Sequence, residues 1–317
     1  MLDAEKLIFL ISAPRSGSSL LQHMLASHSQ ICTAPEPWLL LGLAYQRTQP
    51  FAAEYNSFFA RTAVNEFFAD YPDAHRRYTK SLSVAVREAY GVVAQQCGKT
   101  YFLDKTTRYY LILPFLQELF PRARFVFLIR NPLAIASSIL HTNFNGDLTG
   151  FDHADRQHDL YSAPVKLRDA AKCFDGTSTV IHYEQLVTDT ADVLRTACDD
   201  LGLEFENAMT RYQVPKTKTS FIDPATVRKH TKPEADFASS WIRKCDSPSE
   251  IDFLTRYLYS LPERCVEGPG YDRNTLQQQL QQLSSKVSLR RRAMFQIGNG
   301  CRRGVRKLKT LCHVRKR

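Results

Sequence analysis

Residues 7–25, LIFLISAPRSGSSLLQHML, spell out a strand, a turn and a helix in succession. The apolar run Leu7 to Ile11 has the length and branching of a buried parallel strand. Ala13-Pro14-Arg15-Ser16-Gly17-Ser18-Ser19 follows, and then Leu20, Leu21, Met24 and Leu25 recur at helical spacing. A Ser/Gly turn between strand and helix gathers backbone N–H groups on one point. The helix N-terminus adds roughly half a positive charge there. Gly17 lets the backbone approach a ligand closely. Ser16, Ser18 and Ser19 offer hydroxyls, and Arg15 offers a permanent forked cation. The expected ligand is a phosphate or sulfate ester. The turn is not G-x-x-x-x-G-K-[ST], because it has one glycine and no lysine after it, and it is not G-x-G-x-x-G. An ordinary polar-capped turn is the plain alternative, since Ser-Gly-Ser turns are common.

The rest of the chain sets the scale. With 317 residues, of which 44% are hydrophobic, it can bury one large α/β core or two smaller ones. No run reaches the ~18 apolar residues of a membrane span. The start, Met1-Leu2-Asp3-Ala4-Glu5-Lys6, does not read as a signal peptide. The eight cysteines are scattered without a C-x-x-C pair, which suits free thiols in a reducing cytoplasm and offers no metal pattern. The net charge of +10 is concentrated. Residues 286–317 hold twelve of the 42 Lys and Arg and no carboxylate, so the body carries 30 cations against 32 Asp and Glu. That balance argues against a nucleic-acid surface.

The body alternates between strand and helix patterns. Strands are expected at 7–12, 31–34, 101–104, 125–130 and 178–182. Helices are expected at 18–28, 36–47, 54–69, 80–97, 108–120, 132–141, 164–174, 188–201, 234–242 and 249–261. This order implies one parallel sheet covered by helices on both faces. Residues 143–162 are polar with two glycines and read as a loop or mobile lid, and 213–236 read as irregular. Gln277–Gln282, with Leu276, Leu280 and Leu283, reads as a surface helix leading into the basic tail. The division is therefore a domain over 1–283 and a basic tail over 284–317. If helical, that tail is amphipathic and suits anionic lipid, an acidic carrier or an acidic peptide. Its three glycines equally suit a solvated tail.

A second constellation lies at 122–141, RARFVFLIRNPLAIASSILH. Phe125 to Ile129 form another buried strand. Arg130 stands at its C-terminal end, where open α/β sheets bind ligands. Pro132 opens the next helix. That helix carries Ser138 back toward the strand end, so Arg130 and Ser138 are expected to grip one phosphate. An arginine after a buried strand can equally be a structural ion-pair partner.

With these residues assembled, the chain resembles the sulfotransferases that use 3′-phosphoadenosine 5′-phosphosulfate (PAPS). Pro14 to Ser19 is similar to their 5′-phosphosulfate loop, and Arg130 with Asn131-Pro132 and Ser138 is similar to their 3′-phosphate site. Val180-Ile181-His182-Tyr183-Glu184-Gln185-Leu186-Val187 is similar to a segment whose tyrosine lies near the nucleotide. The resemblance spans about residues 6–245. It implies a P-loop-like α/β fold and PAPS as co-substrate without a metal. It also implies Arg15, Ser16, Gly17, Ser18, Ser19, Arg130, Ser138 and Tyr183 as nucleotide contacts. Leu103-Asp104-Lys105-Thr106 and Cys32-Thr33-Ala34-Pro35-Glu36-Pro37 resemble the tyrosylprotein and bacterial branch. That branch implies Glu36 as catalytic base. The cytosolic steroid and phenol branch instead has a lysine in the first loop and a histidine base, and no histidine here stands in a matching place. The weakest match, Lys229 in Val227-Arg228-Lys229-His230, is a further 3′-phosphate candidate.

Sulfuryl transfer needs two aligned oxygens, charge neutralisation at the bridging oxygen and a base for the acceptor's proton. Arg15 and Lys105 suit the neutralising role, and a partly desolvated Glu36 suits the base. Each has a plainer reading: Glu36 as the cap of a helix starting at Trp38, Lys105 as a solvated loop residue, Tyr183 as core. Trp38 and Trp241 read as core. The expected acceptor is a hydroxyl on a tyrosyl peptide, a carbohydrate or a small metabolite. The rival functions are a nucleotide-dependent kinase and a non-catalytic membrane or scaffold protein that uses the tail.

Overall fold

A computed structural model of the chain describes residues 1–48, 57–174, 178–212 and 233–288. Five parallel strands run β1 (Leu7–Ser12), β2 (Ile31–Thr33), β3 (Tyr101–Asp104), β4 (Arg124–Ile129) and β5 (Ser178–His182). They lie in the order β2-β3-β1-β4-β5. Ile8 registers with Leu103 on one side and Arg124 on the other. Every residue of β1 is buried, as expected of a strand with a neighbour on each edge and helices on each face. The edge strand β5 has lost that continuity, and its Val180 is exposed.

The two-residue period sorts the core into two layers. Leu7, Phe9 and Ile11 join Phe102, Phe125 and Phe127 on one face. Ile8 and Leu10 join Leu103, Val126 and Leu128 on the other. The second layer is closed by α1 (Ser18–Ala26), α9 (Tyr183–Thr188) and α10 (Thr190–Asp200). The first is larger. It takes in α2 (Leu39–Thr48), α4 (Pro72–Gln96), α5 (Leu113–Leu119), α6 (Pro132–Asn143), α8 (Ala163–Cys173), α11 (Asp236–Lys244) and α12 (Pro248–Ser260). α3 (Ser57–Asp70) runs into α4, which begins at Pro72, eight residues earlier than its apolar pattern suggests. The first two turns of α4 are largely polar, and proline at the first position suits a helix start.

Three expectations are corrected. Residues 143–162 are not an open loop: a 3-10 turn spans Leu148–Asp152, α7 spans Ala154–Gln157, and a π turn at His158–Ser162 leads into α8. Their polar side chains are consumed by ion pairs rather than by solvent alone. The helix expected at 188–201 is α10, but a separate helix, α9, precedes it where none was expected, and the two meet at Asp189. The Gln-rich helix is not a surface element. As α13 it runs over 273–288, through the expected boundary at 283, and buries Leu276, Leu280, Leu283 and Val287 in the larger layer. Among the described residues no helix is long and apolar enough to cross a membrane. The expectations for the basic tail beyond 288, for most of 213–236 and for Lys229 fall outside the described residues.

Candidate active site

The turn after β1 is held in costly backbone geometry. Arg15 lies at φ 65° and Gly17 at φ 93°. A side-chain residue in the left-handed region costs energy, and such positions gather at ligand-holding turns. Glycine at 17 is required twice over, because a Cβ there would lie 2.4 Å from Cε2 of Tyr183. Ser16 Oγ donates to the Ala13 carbonyl at 2.6 Å and closes the turn on itself. The first-turn N–H groups of α1 have no acceptor within the helix. Gly17, Ser18, Ser19 and Leu20 line a cavity of about 530 Å³.

Two guanidiniums face this cavity. Arg130, at the end of β4, donates to the carbonyls of Arg15 at 2.9 Å and Phe237 at 3.1 Å. It also lies 4.1 Å from the centre of the Tyr183 ring, a cation–π contact. Its Nε is buried with no hydrogen-bond partner. Arg15 donates to Ser138 Oγ at 3.3 Å and to Thr142 Oγ1 at 3.2 Å. Ser138 is thus held by Arg15 rather than by Arg130, and both arginines border the same space. Among the described residues, the hydrogen-bond partners of both guanidiniums are neutral. Burial, and then the neighbouring Arg130, lower the Arg15 pKa from its ordinary value. Glu184 supplies some balance from behind, where its carboxylate accepts the Asn131 N–H at 2.9 Å. Two half-buried like charges with an unspent donor are arranged as an anion would require, which makes this a candidate anion site.

A third group comes from β2 and β3. Lys105 Nζ lies 2.6 Å from Glu36 Oε1, and the two side chains are only 3% and 4% exposed. Lys105 also donates to Ser19 Oγ at 3.4 Å, which ties the pair to the first turn of α1. The backbone before Lys105 is anchored by Asp104. This carboxylate accepts from Tyr90 at 2.5 Å, Tyr109 at 2.9 Å and Thr106 at 3.2 Å. Complete burial pushes Asp104 up to about 6 against those hydrogen bonds. Glu36 does not cap a helix at Trp38, since α2 begins at Leu39 and Trp38 sits at φ 55°. The second carboxylate oxygen of Glu36 accepts from Trp38 Nε1 at 3.2 Å.

Arg15, Gly17, Ser18, Ser19, Glu36, Arg130, Ser138 and Tyr183 therefore converge on one cavity. Lys105 reaches it through Glu36 and Ser19, while the Ser16 hydroxyl turns away into the backbone. Sequence reasoning missed Phe237, Trp241 and Lys244 of α11, together with Tyr212, Arg108 and Arg156, which complete the wall. Trp241 is core as read, yet also borders the cavity, whereas Trp38 is 40% exposed and is not core. Phe237, Trp241 and Lys244 share one face of α11 at i, i+4 and i+7, a signal the sequence did carry, whereas Arg108, Arg156 and Tyr212 come from elements far apart in the chain and no spacing marks them.

The geometry has counterparts. A family model described as the sulfotransferase family matches residues 8–207. The nodulation protein NoeE of Sinorhizobium fredii is 36% identical over 146 residues, covering 42% of this chain and 31% of that protein. An uncharacterized protein of Aquifex aeolicus is 24% identical over 231 residues, covering 70% of this chain and 29% of its own length. The chain spans about three tenths of the length of these two curated relatives. In fold it is similar to the sulfotransferase domain of the Synechococcus PCC 7002 olefin synthase, with TM-score 0.52 and 24% identity over 81% of this chain and 95% of that one. The matched span runs from β1 to beyond α10 and takes in the anion turn, the Glu36–Lys105 pair, Arg130 and Tyr183; the chain belongs to the sulfotransferase family.

Proposed function

We propose that the chain moves the sulfuryl group of PAPS to a hydroxyl acceptor in line, with Glu36 as general base. The observation that supports this most is the single cavity joining the anion turn, the Arg15–Arg130 pair and the Glu36–Lys105 pair. PAPS carries anions at both ends of an adenosine, which matches two cationic groups better than one. In this reading the α1 turn and Arg15 hold the phosphosulfate, and Arg130, with Ser138 near it, holds the 3′-phosphate. Tyr183 packs beside the nucleotide.

The acceptor oxygen forms a new S–O bond as the bond to the bridging oxygen breaks. The acceptor's proton passes to a Glu36 oxygen, and 3′-phosphoadenosine 5′-phosphate (PAP) departs. Lys105 has two duties that alternate. Before transfer its 2.6 Å ion pair holds the Glu36 carboxylate in place. As Glu36 takes the proton, the Lys105 charge is released toward the negative bridging oxygen, and Arg15 adds a second cation to the same cavity. The test is thermal melting with and without PAP, followed by transfer of labelled sulfate from PAPS to pooled peptides, glycans and phenols. A rise in melting temperature with PAP, and label in one acceptor class, are expected. No shift at saturating PAP, or turnover of magnesium-ATP instead, would overturn the reading.

A further inference from the structure

Trp38 is placed where a core tryptophan would not be. It is 40% exposed, its backbone lies in the left-handed region at φ 55°, and it is one of the residues that line the cavity. The indole N–H points back to Glu36 Oε2 at 3.2 Å. Glu36 Oε1 is taken by Lys105 at 2.6 Å, so Oε2 is the oxygen left for an incoming hydroxyl. A neutral donor at 3.2 Å occupies only one of that oxygen's lone pairs and leaves the other open.

The cavity is also lined by Thr107, Arg108, Asp155 and Arg156. These charges already satisfy one another. Arg108 holds Asp155 at 2.8 Å and Asp159 at 3.0 Å, Arg156 holds Asp159 at 3.1 Å, and Tyr110 donates to Asp159 at 2.7 Å. Two arginines and two aspartates cancel. The Arg108 and Arg156 charges are thus spent on Asp155 and Asp159, and the same cavity offers the Trp38 indole and polar groups able to hydrogen-bond hydroxyls.

We propose that Trp38 is an acceptor-binding residue, and that the acceptor hydroxyl is carried on an uncharged ring packed against the indole beside Glu36 Oε2. This rests on the reading of Glu36 as the base. A sugar's C–H face and a phenol's π face share the required chemistry, and both pack on an indole. The left-handed backbone turns the ring toward Glu36 rather than into the core. The ring thus does two things: it supplies a surface for the acceptor, and its N–H keeps the carboxylate aimed at that surface.

The experiment measures sulfate transfer from labelled PAPS by the full chain. The acceptors are neutral sugars (methyl glucoside, methyl galactoside, cellobiose, chitobiose), 4-methylphenol, and a tyrosyl peptide flanked by glutamates. Transfer to a sugar or to the phenol is expected, and which one is labelled identifies the ring. Trp38→Ala should raise the KM for that acceptor about tenfold and leave the PAP Kd within twofold. Trp38→Phe should restore KM but keep a lowered kcat, because the ring returns without the N–H. Unchanged acceptor KM in Trp38→Ala, or transfer confined to the acidic peptide, overturns the proposal. If Trp38→Ala loses its PAP-induced melting shift, the Trp241→Phe chain serves instead, with Trp38 as its single tryptophan. Its fluorescence should change with the labelled acceptor and not with PAP, and the converse overturns the assignment. A fully active Glu36→Gln alongside a raised KM in Trp38→Ala would remove the base and keep the platform, so the two failures are separable.

Discussion

Gly17 and Tyr183 act as one unit, because the ring occupies the space a side chain at 17 would need. Gly17→Ala meets both that ring and a left-handed backbone, so a loss of about 1–3 kcal/mol is expected, together with weaker PAP binding. Thermal melting and PAP titration check this together, and unchanged binding would show that the turn does not hold the nucleotide. At Arg130 the geometry asks for a fork: two carbonyls and a ring face are served at once. Arg130→Lys keeps the charge and loses the fork and the plane, and is expected to weaken PAP binding by about 1–3 kcal/mol. Glu36→Gln should preserve PAP binding and lower turnover by about 10²–10⁴-fold, read by steady-state rates.

At the scale of elements, the site is assembled by ends rather than by faces. The C-terminal ends of β1, β3 and β4 deliver Arg15, Lys105 and Arg130, and α6 and α11 close over them. α6 is clamped to α12 by Glu250, which accepts from Ser137 at 3.2 Å and lies 3.1 Å from His141 Nε2. The helix over 273–288 completes this layer from outside. Leu280→Ala in its buried stripe is expected to cost about 2–5 kcal/mol, measured by denaturant unfolding. A cost below 0.5 kcal/mol would return that helix to the surface role its glutamines suggest.

For the molecule as a whole, one buried and one half-buried group pull stability in opposite directions with pH. Asp104 rises from 3.8 to about 6 on folding, so the folded chain binds its proton more tightly. Between those values the folded state gives up stability as pH rises. His182 falls from 6.5 to about 4 through burial and then the charge of Arg168, so it removes stability as pH falls through that window. The two partly cancel in the natural chain. In Asp104→Asn the first contribution is gone, so its melting temperature relative to the natural chain should climb from pH 4 to pH 7. A flat difference would show that Asp104 does not titrate there. Bound PAP at 100 times its Kd should add about 2.7 kcal/mol, provided the folded chain alone binds it.

What the chain could tell by itself was local. Leu7 to Ile11 and Phe125 to Ile129 are unbroken apolar runs because central parallel strands are buried on both faces, and that made the sheet legible. The anion turn was legible because the chemistry of Pro14–Ser19 is contiguous, and Arg130 because a strand end marks it. Polar patterning misled where tertiary contacts overrode it. The charges of 143–162 are spent on Arg108–Asp155–Asp159–Arg156 pairs, and the glutamines of 277–282 ride on leucines that are core. Only the tertiary structure brought Lys105 to Glu36 across 69 residues and set Arg15 rather than Arg130 on Ser138. It alone turned Trp38 out of the core and onto Glu36. A strand or a turn is written by neighbours along the chain, whereas an ion pair between two connections is decided by which strands lie side by side.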